Sequence, residues 1–139
     1  MKRIIVCAVL ALLSACALPT GDDGTVVRLD QAFTLSEGRT ALVLGPRIAV
    51  EFIDVVEDQR CPIEALCISA GNATVRVRVA QEGWDPAVLE LRTDQPGTYK
   101  VYNYHAVELL ELDPPASTRE PDPDYRAKLR VYPVFTTGG

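Results

Sequence analysis

The sequence predicts an all-β domain, an antiparallel β-sandwich or open barrel of about six to eight strands, closed by one disulfide. Three observations predict it. "TVRVRVA", Thr74–Ala80, alternates Val75, Val77 and Val79 with Thr74, Arg76 and Arg78, the period of two of a strand wet on one face. "YRAKLRVY", Tyr125–Tyr132, repeats the pattern with Ala127, Leu129 and Val131 on its apolar side and Arg126, Lys128 and Arg130 on its polar side. Turn signals at Gly45-Pro46, Gly83, Asp85-Pro86 and Gln95-Pro96-Gly97 punctuate the chain at strand-length intervals, and alternation of this kind favours antiparallel sheets.

In chain order, the first feature is a leader. Lys2 and Arg3 precede an apolar run of ten residues, Ile4–Leu13, and then the small residues Ser14, Ala15 and Cys16. Charge, apolar stretch and small residues form the layout of a secretory signal, residues 1–15. The run is well short of the roughly 18 to 20 residues that span a bilayer as a helix, so a permanent transmembrane anchor is not expected. "LSAC", Leu13–Cys16, resembles the lipobox of bacterial lipoproteins, in which the Cys thiol receives a diacylglyceryl group and becomes the first residue after cleavage. The resemblance implies that Cys7 is discarded and that Cys16 is a lipid anchor to the membrane. Neither Ala17 nor Leu18 is the Asp that favours inner-membrane retention in that class. It therefore implies an outer-membrane lipoprotein of the bacterial cell envelope, facing the periplasm.

"ALPTGDDGT", Ala17–Thr25, has the Pro, Gly and Asp content of a flexible tether, so residues 16–25 are expected to link the anchor to a single domain over 26–139. Without the leader the chain keeps 124 of its 139 residues, enough for one real core. Lys2 and Arg3 are the leader's only charges, so 12 basic residues remain against 19 acidic ones. A net acidic chain repels phosphate backbones, and no nucleic-acid partner is expected.

The remaining elements follow. "TALVLGPRIAVEFIDVVED", Thr40–Asp58, predicts a strand, a Gly45-Pro46 turn and a longer strand with Ile48, Val50 and Phe52 on one face. Its register changes near Ile53 and Asp54, as at a β-bulge. "AVLELRT" and "TYKVYNYHAVELLEL" supply further strands, with Val107–Leu112 the only stretch that also suits a short helix. "PPASTREPDPD", Pro114–Asp124, has four prolines in eleven residues and is a loop.

Cys61 and Cys67 remain in the exported chain. A close pair in an oxidising compartment reads first as a structural disulfide. The spacing is not the C-x-x-C of thiol-exchange enzymes, and a zinc site would need two more soft ligands where only His105 is on offer. "DQRCPIEALCISAGNATVRV", Asp58–Val77, is similar to a motif of small bacterial lipoproteins of unknown function: Asp-x-Arg-Cys-Pro, a second Cys, then Ala-Gly-x-Ala entering a Val-rich strand. Asp58, Arg60, Cys61, Pro62, Cys67, Ala70, Gly71 and Ala73 carry the match, while Ser69 stands where many relatives have an aromatic. The resemblance implies a β fold with a disulfide-closed loop and no established reaction.

No H-E-x-x-H, P-loop or Gly-rich dinucleotide motif is present, and Ser36, Ser69 and Ser117 lack the context of an activated nucleophile for His105. No enzyme activity, cofactor or metal is expected. Asp113, Asp122 and Asp124 lack the spacing of a calcium loop, and Trp84, Tyr99, Tyr102, Tyr104, Tyr125 and Tyr132 fit a sheet as well as a sugar platform. The expectation is a non-catalytic binding or structural module whose partner is an envelope protein or polymer. Rigid loops on β scaffolds are where binding residues gather, so Asp58, Arg60, Pro62 and Gly71 are the candidate contact residues, the alternative being that Arg60 and Asp58 simply pair to shape the loop. A second candidate is a cationic patch of Arg76, Arg78, Arg126, Lys128 and Arg130, conditional on their two strands being neighbours. The competing readings are a thiol-redox factor or enzyme using Cys61 and Cys67, and a small-ligand carrier.

Overall fold

The computed structural model describes residues 24–135, so the leader, Cys16 and most of the tether lie outside the described residues. Among the described residues nine strands form two sheets: β1 (Thr25–Arg28), β2 (Ala32–Ser36), β3 (Thr40–Leu44), β4 (Ile48–Asp58), β5 (Ala73–Gln81), β6 (Trp84–Arg92), β7 (Tyr99–Tyr102), β8 (His105–Asp113) and β9 (Arg126–Pro133). One sheet has the order β1-β3-β4-β5-β6 and the other β2-β9-β8-β7. Among the described residues the domain is all-β, with two strands at the start, β1 and β2, beyond those singled out by alternation. All pairs are antiparallel except β1 with β3, which run parallel. That exception follows from β2 crossing to the opposite sheet between them.

The alternating residues are the core. Ile48, Val50, Phe52, Val75, Val77 and Val79 from one sheet meet Leu35, Val107, Leu129 and Val131 from the other, all at most 2% exposed. Aliphatic and aromatic side chains thus fill the space between the sheets, at roughly 25 cal/mol of stabilisation per Å² of apolar surface removed from water. The expected bulge is present: the β4–β5 register slips between Phe52 and Asp54 and again between Val55 and Glu57.

Three expectations are corrected. Asp85-Pro86 is no turn but part of β6, where an edge strand tolerates a proline that a central strand would not. Val107–Leu112 is extended within β8, its apolar run broken by a register slip between Leu109 and Glu111 that leaves Leu110 exposed. The cationic residues do not form one patch. Arg76 and Arg78 lie on β5 of one sheet, and Arg126, Lys128 and Arg130 on β9 of the other. Four of the five also face their own carboxylate: Arg76 with Asp54, Arg78 with Glu51, Lys128 with Glu111 and Arg130 with Glu108. Local alternation tells which face a residue takes, not which sheet it joins.

Candidate functional site

The loop between Asp58 and Ala73 leaves the long β4–β5 hairpin and continues its ladder for two more hydrogen bonds. The Gln59 N–H donates to the Asn72 carbonyl and the Cys61 N–H to the Ala70 carbonyl, each at 2.7 Å. Gly71 makes this approach possible. Its φ is +67°, and a Cβ there would sit 1.9 Å from the Gln59 carbonyl oxygen. Beyond this base the Cys61–Cys67 disulfide closes the tip, with Cα atoms 5.9 Å apart, and the Ala65 N–H donates to the Pro62 carbonyl at 3.0 Å inside the ring.

Arg60 folds back beneath the loop. Its Nε donates to Asp58 Oδ1 at 2.8 Å and its Nη2 to Asp58 Oδ2 at 2.7 Å, the two parallel bonds that a planar guanidinium makes to a carboxylate. Its Nη1 donates to the Leu112 carbonyl at 2.7 Å and Nη2 also to the Pro114 carbonyl at 2.8 Å. Tyr125 Oη donates to Asp58 Oδ2 at 2.9 Å. One guanidinium thus ties together the end of β4, the loop, the end of β8 and the Pro-rich connection, and Tyr125 adds the approach to β9. The Arg60 and Asp58 side chains are only 15% and 14% exposed.

The charges respond accordingly. Burial pulls the Asp58 carboxyl upward, but hydrogen bonds from Arg60 and Tyr125 outweigh it and hold it below its ordinary value. The Asp58 hydrogen bond raises Arg60 against its own burial. Burial, then the bond to Asp58, pushes Tyr125 up to about 12.

The crown of the loop rests on Pro114–Asp124. The Ile63 N–H donates to the Ala116 carbonyl at 2.9 Å, and Glu64 accepts from Ser117 Oγ at 2.5 Å and from the Thr118 N–H at 3.1 Å. Glu64, the one charged residue between the two cysteines, is thereby turned back onto its neighbour. Three aliphatic side chains of the loop stand in solvent: Ile63 is 70% exposed, and Leu66 and Ile68 are fully exposed.

This arrangement reassigns the candidate contact residues. Asp58 and Arg60 are occupied internally, and Gly71 serves the loop's base with no room for a side chain. Pro62 borders a cleft of about 160 Å³ between the loop and the Pro-rich segment. The residues presented outward, Ile63, Leu66 and Ile68, were visible in the sequence as aliphatics between and beside the cysteines with no strand to bury them. A neighbouring groove of about 530 Å³, lined by Ser36, Glu37, Pro114, Glu120, Asp124, Tyr125 and Arg126, lies on the surface and not between the sheets.

His105 begins β8 and its Nδ1 donates to the Asn103 carbonyl at 2.7 Å, at the end of the strand opposite Asp113 and the disulfide loop. Trp84 and Tyr104 meet edge to face there, with ring centroids 6.5 Å apart. Tyr102 is buried, its hydroxyl donating to the Asp85 carbonyl at 3.0 Å. Among the described residues no three His, Cys, Asp or Glu side chains gather as a metal site. Comparison with protein-family models, with curated proteins and with solved structures gave no match.

Proposed function

We propose that this chain is a lipoprotein of the bacterial envelope, held to the outer membrane through an acylated Cys16 and facing the periplasm. It acts as a non-catalytic binding or structural module whose contact surface is the Cys61–Cys67 loop. The observation that carries this reading is the loop itself: a disulfide ring braced from below by Arg60, with Ile63 and Leu66 outward and Glu64 bonded to Ser117 and Thr118. Fixing a tip in one conformation before it meets a partner lowers the entropy lost on contact. The leader, the "LSAC" sequence and the resemblance to small bacterial lipoproteins support the location.

A thiol-redox enzyme is the weaker reading, because His105 lies at the far end of the sandwich from the cysteines and the polar atoms against Cys61 Sγ among the described residues are the Pro62 and Ala65 backbone carbonyls. The test is a thiol challenge of the protein taken from its membrane. The disulfide should stay closed and unreactive toward an alkylating probe at the glutathione poise of an oxidising compartment. Cys61→Ala with Cys67→Ala should lower stability by about 2 kcal/mol, the chain-entropy value for so short a ring, without removing the fold. A pair that opens readily and exchanges with added thiols would favour redox chemistry instead.

A further inference from the structure

We propose that the end of the sandwich opposite the disulfide loop is a second binding site, an aromatic cleft that takes an uncharged saccharide chain. It stands apart from the Cys61–Cys67 loop and from the Cys16 anchor, and requires neither.

The backbone marks this end. β4 and β8 begin here, and β1, β3, β5, β7 and β9 finish here. Every non-glycine residue with a left-handed φ among the described residues lies in its turns: Asp30 after β1, Arg47 after β3, and Asn103 and Tyr104 between β7 and β8. Such residues gather where a fold fixes a functional surface. A two-residue hairpin turn with both φ values positive favours Asn first and Gly second. Asn103, at +42°, obeys, and Tyr104, at +60°, does not. Tyr104 is 66% exposed, so burial does not offset the conformational cost of a side chain there.

Hydrogen bonds hold that turn in place. Gln81 Nε2 donates to the Pro46 carbonyl at 2.7 Å, and Asn103 Nδ2 donates to Gln81 Oε1. His105 Nδ1 donates in turn to the Asn103 carbonyl, and the Val134 N–H donates to the Tyr104 carbonyl at 2.9 Å. The relay joins the two sheets at their shared end.

The cleft has a volume of about 380 Å³ and is lined by Tyr104, His105, Pro133, Val134 and Phe135. Phe135 stands in solvent, and the half-exposed Trp84 meets the Tyr104 ring edge to face. Tyr104 Oη, Trp84 Nε1 and His105 Nε2 make no hydrogen bond within the described residues. With Nδ1 donating, a neutral His105 leaves Nε2 as an acceptor. The chemistry on offer is therefore flat apolar rings with uncharged polar edges. A pyranose matches it, with one C–H face to stack on a ring and a rim of hydroxyls that both donate and accept. No Asp, Glu, Lys or Arg lines the cleft, so a charged ligand would find no counter-charge there. An extended peptide would find no open ladder at the turn, because Tyr102 and His105 already pair across it.

The test uses the full-length protein in a detergent without a sugar headgroup. Trp84 is the chain's only tryptophan, so its emission reports on this end of the domain. Tetrasaccharides of N-acetylglucosamine, β-linked glucose and α-linked glucose are the probes, and at least one should change the emission saturably. Tyr104→Gly should weaken that binding about tenfold without lowering the melting temperature, because Gly suits the turn. Phe135→Ala should weaken it with the melting temperature unchanged, and Leu66→Ser, at the disulfide loop, should leave it as it was. No saturable change with any of the three probes overturns the proposal, as does full affinity in both Tyr104→Gly and Phe135→Ala. A loss of binding that accompanies a fall in melting temperature in both variants assigns the rings to structure and equally overturns it. In native envelopes, a benzophenone amino acid at position 135 that couples to protein in place of glycan would assign this end to a protein partner and reject the saccharide.

Discussion

Arg60→Ala will lower the stability of the domain by about 3 kcal/mol, the low end of the range for breaking a buried ion pair, because both side chains keep some solvent contact. The loss has two sources. Asp58 is left part-buried with Tyr125 and a backbone N–H as donors, and the Leu112 and Pro114 carbonyls lose the donors that hold the Pro-rich loop. Arg60→Lys restores the charge without the planar fork and should remain about 1 to 2 kcal/mol below the natural protein. Urea midpoints measured across pH give a second readout. The folded-state pKa of Asp58 is depressed, so its contribution is complete above the ordinary carboxyl value of 3.8 and is lost as pH falls through the folded value. The gap between the natural protein and Arg60→Ala should therefore narrow as pH falls below about 4, leaving the part that comes from the Leu112 and Pro114 carbonyls. Tyr125 works in the opposite sense. Its folded pKa is raised from 10.0 to about 12, so its contribution holds below pH 10 and fades as the phenol ionises. An acid-independent gap would mean that Arg60 acts through the Leu112 and Pro114 carbonyls and not through Asp58.

Gly71→Ala will cost about 2 to 4 kcal/mol, a large effect for one methyl group. A left-handed backbone disfavours any side chain there, and the added Cβ also meets the Gln59 carbonyl at 1.9 Å, a distance that only backbone movement relieves. That movement parts the Gln59–Asn72 and Cys61–Ala70 hydrogen bonds at the loop's base. Gly38→Ala is the control, because Gly38 has a similar φ of +77° with open space around its Cβ position. It should cost only about 1 kcal/mol, the conformational part alone. Thermal unfolding of the two variants separates the terms. Equal losses would show that the close approach to Gln59 contributes nothing.

The fold was legible where one face of a strand is buried and the other wet. Val75, Val77 and Val79, and Ala127, Leu129 and Val131, announce β5 and β9, and Ile48, Val50 and Phe52 announce β4. It was less legible at β1 and β2, where Val27 alone, then Phe33 and Leu35, turn inward within strands too short to show a period. Asp85-Pro86 misled because an edge strand accepts residues that otherwise mark turns.

The site was half legible. The cysteines and the Asp58–Arg60 pair stood out by residue type and spacing. The carbonyls that Arg60 also reaches lie 52 and 54 residues away and belong to the backbone of Leu112 and Pro114, which no side-chain pattern marks. The same locality explains the cationic patch. Arg76 and Arg130 have the same place in the alternation of their strands, yet chain topology sends them to different sheets, beside Asp54 and Glu108.

The central claim, a lipid-anchored domain carrying a disulfide-closed contact loop, is tested most directly by the intact mass of the protein extracted from a bacterial envelope without reductant. The predicted species begins at Cys16, carries a diacylglyceryl group on that residue, and lacks the hydrogens lost in forming the Cys61–Cys67 bond. A chain that retains residues 1–15, an unmodified Cys16, or free thiols at Cys61 and Cys67 would contradict it.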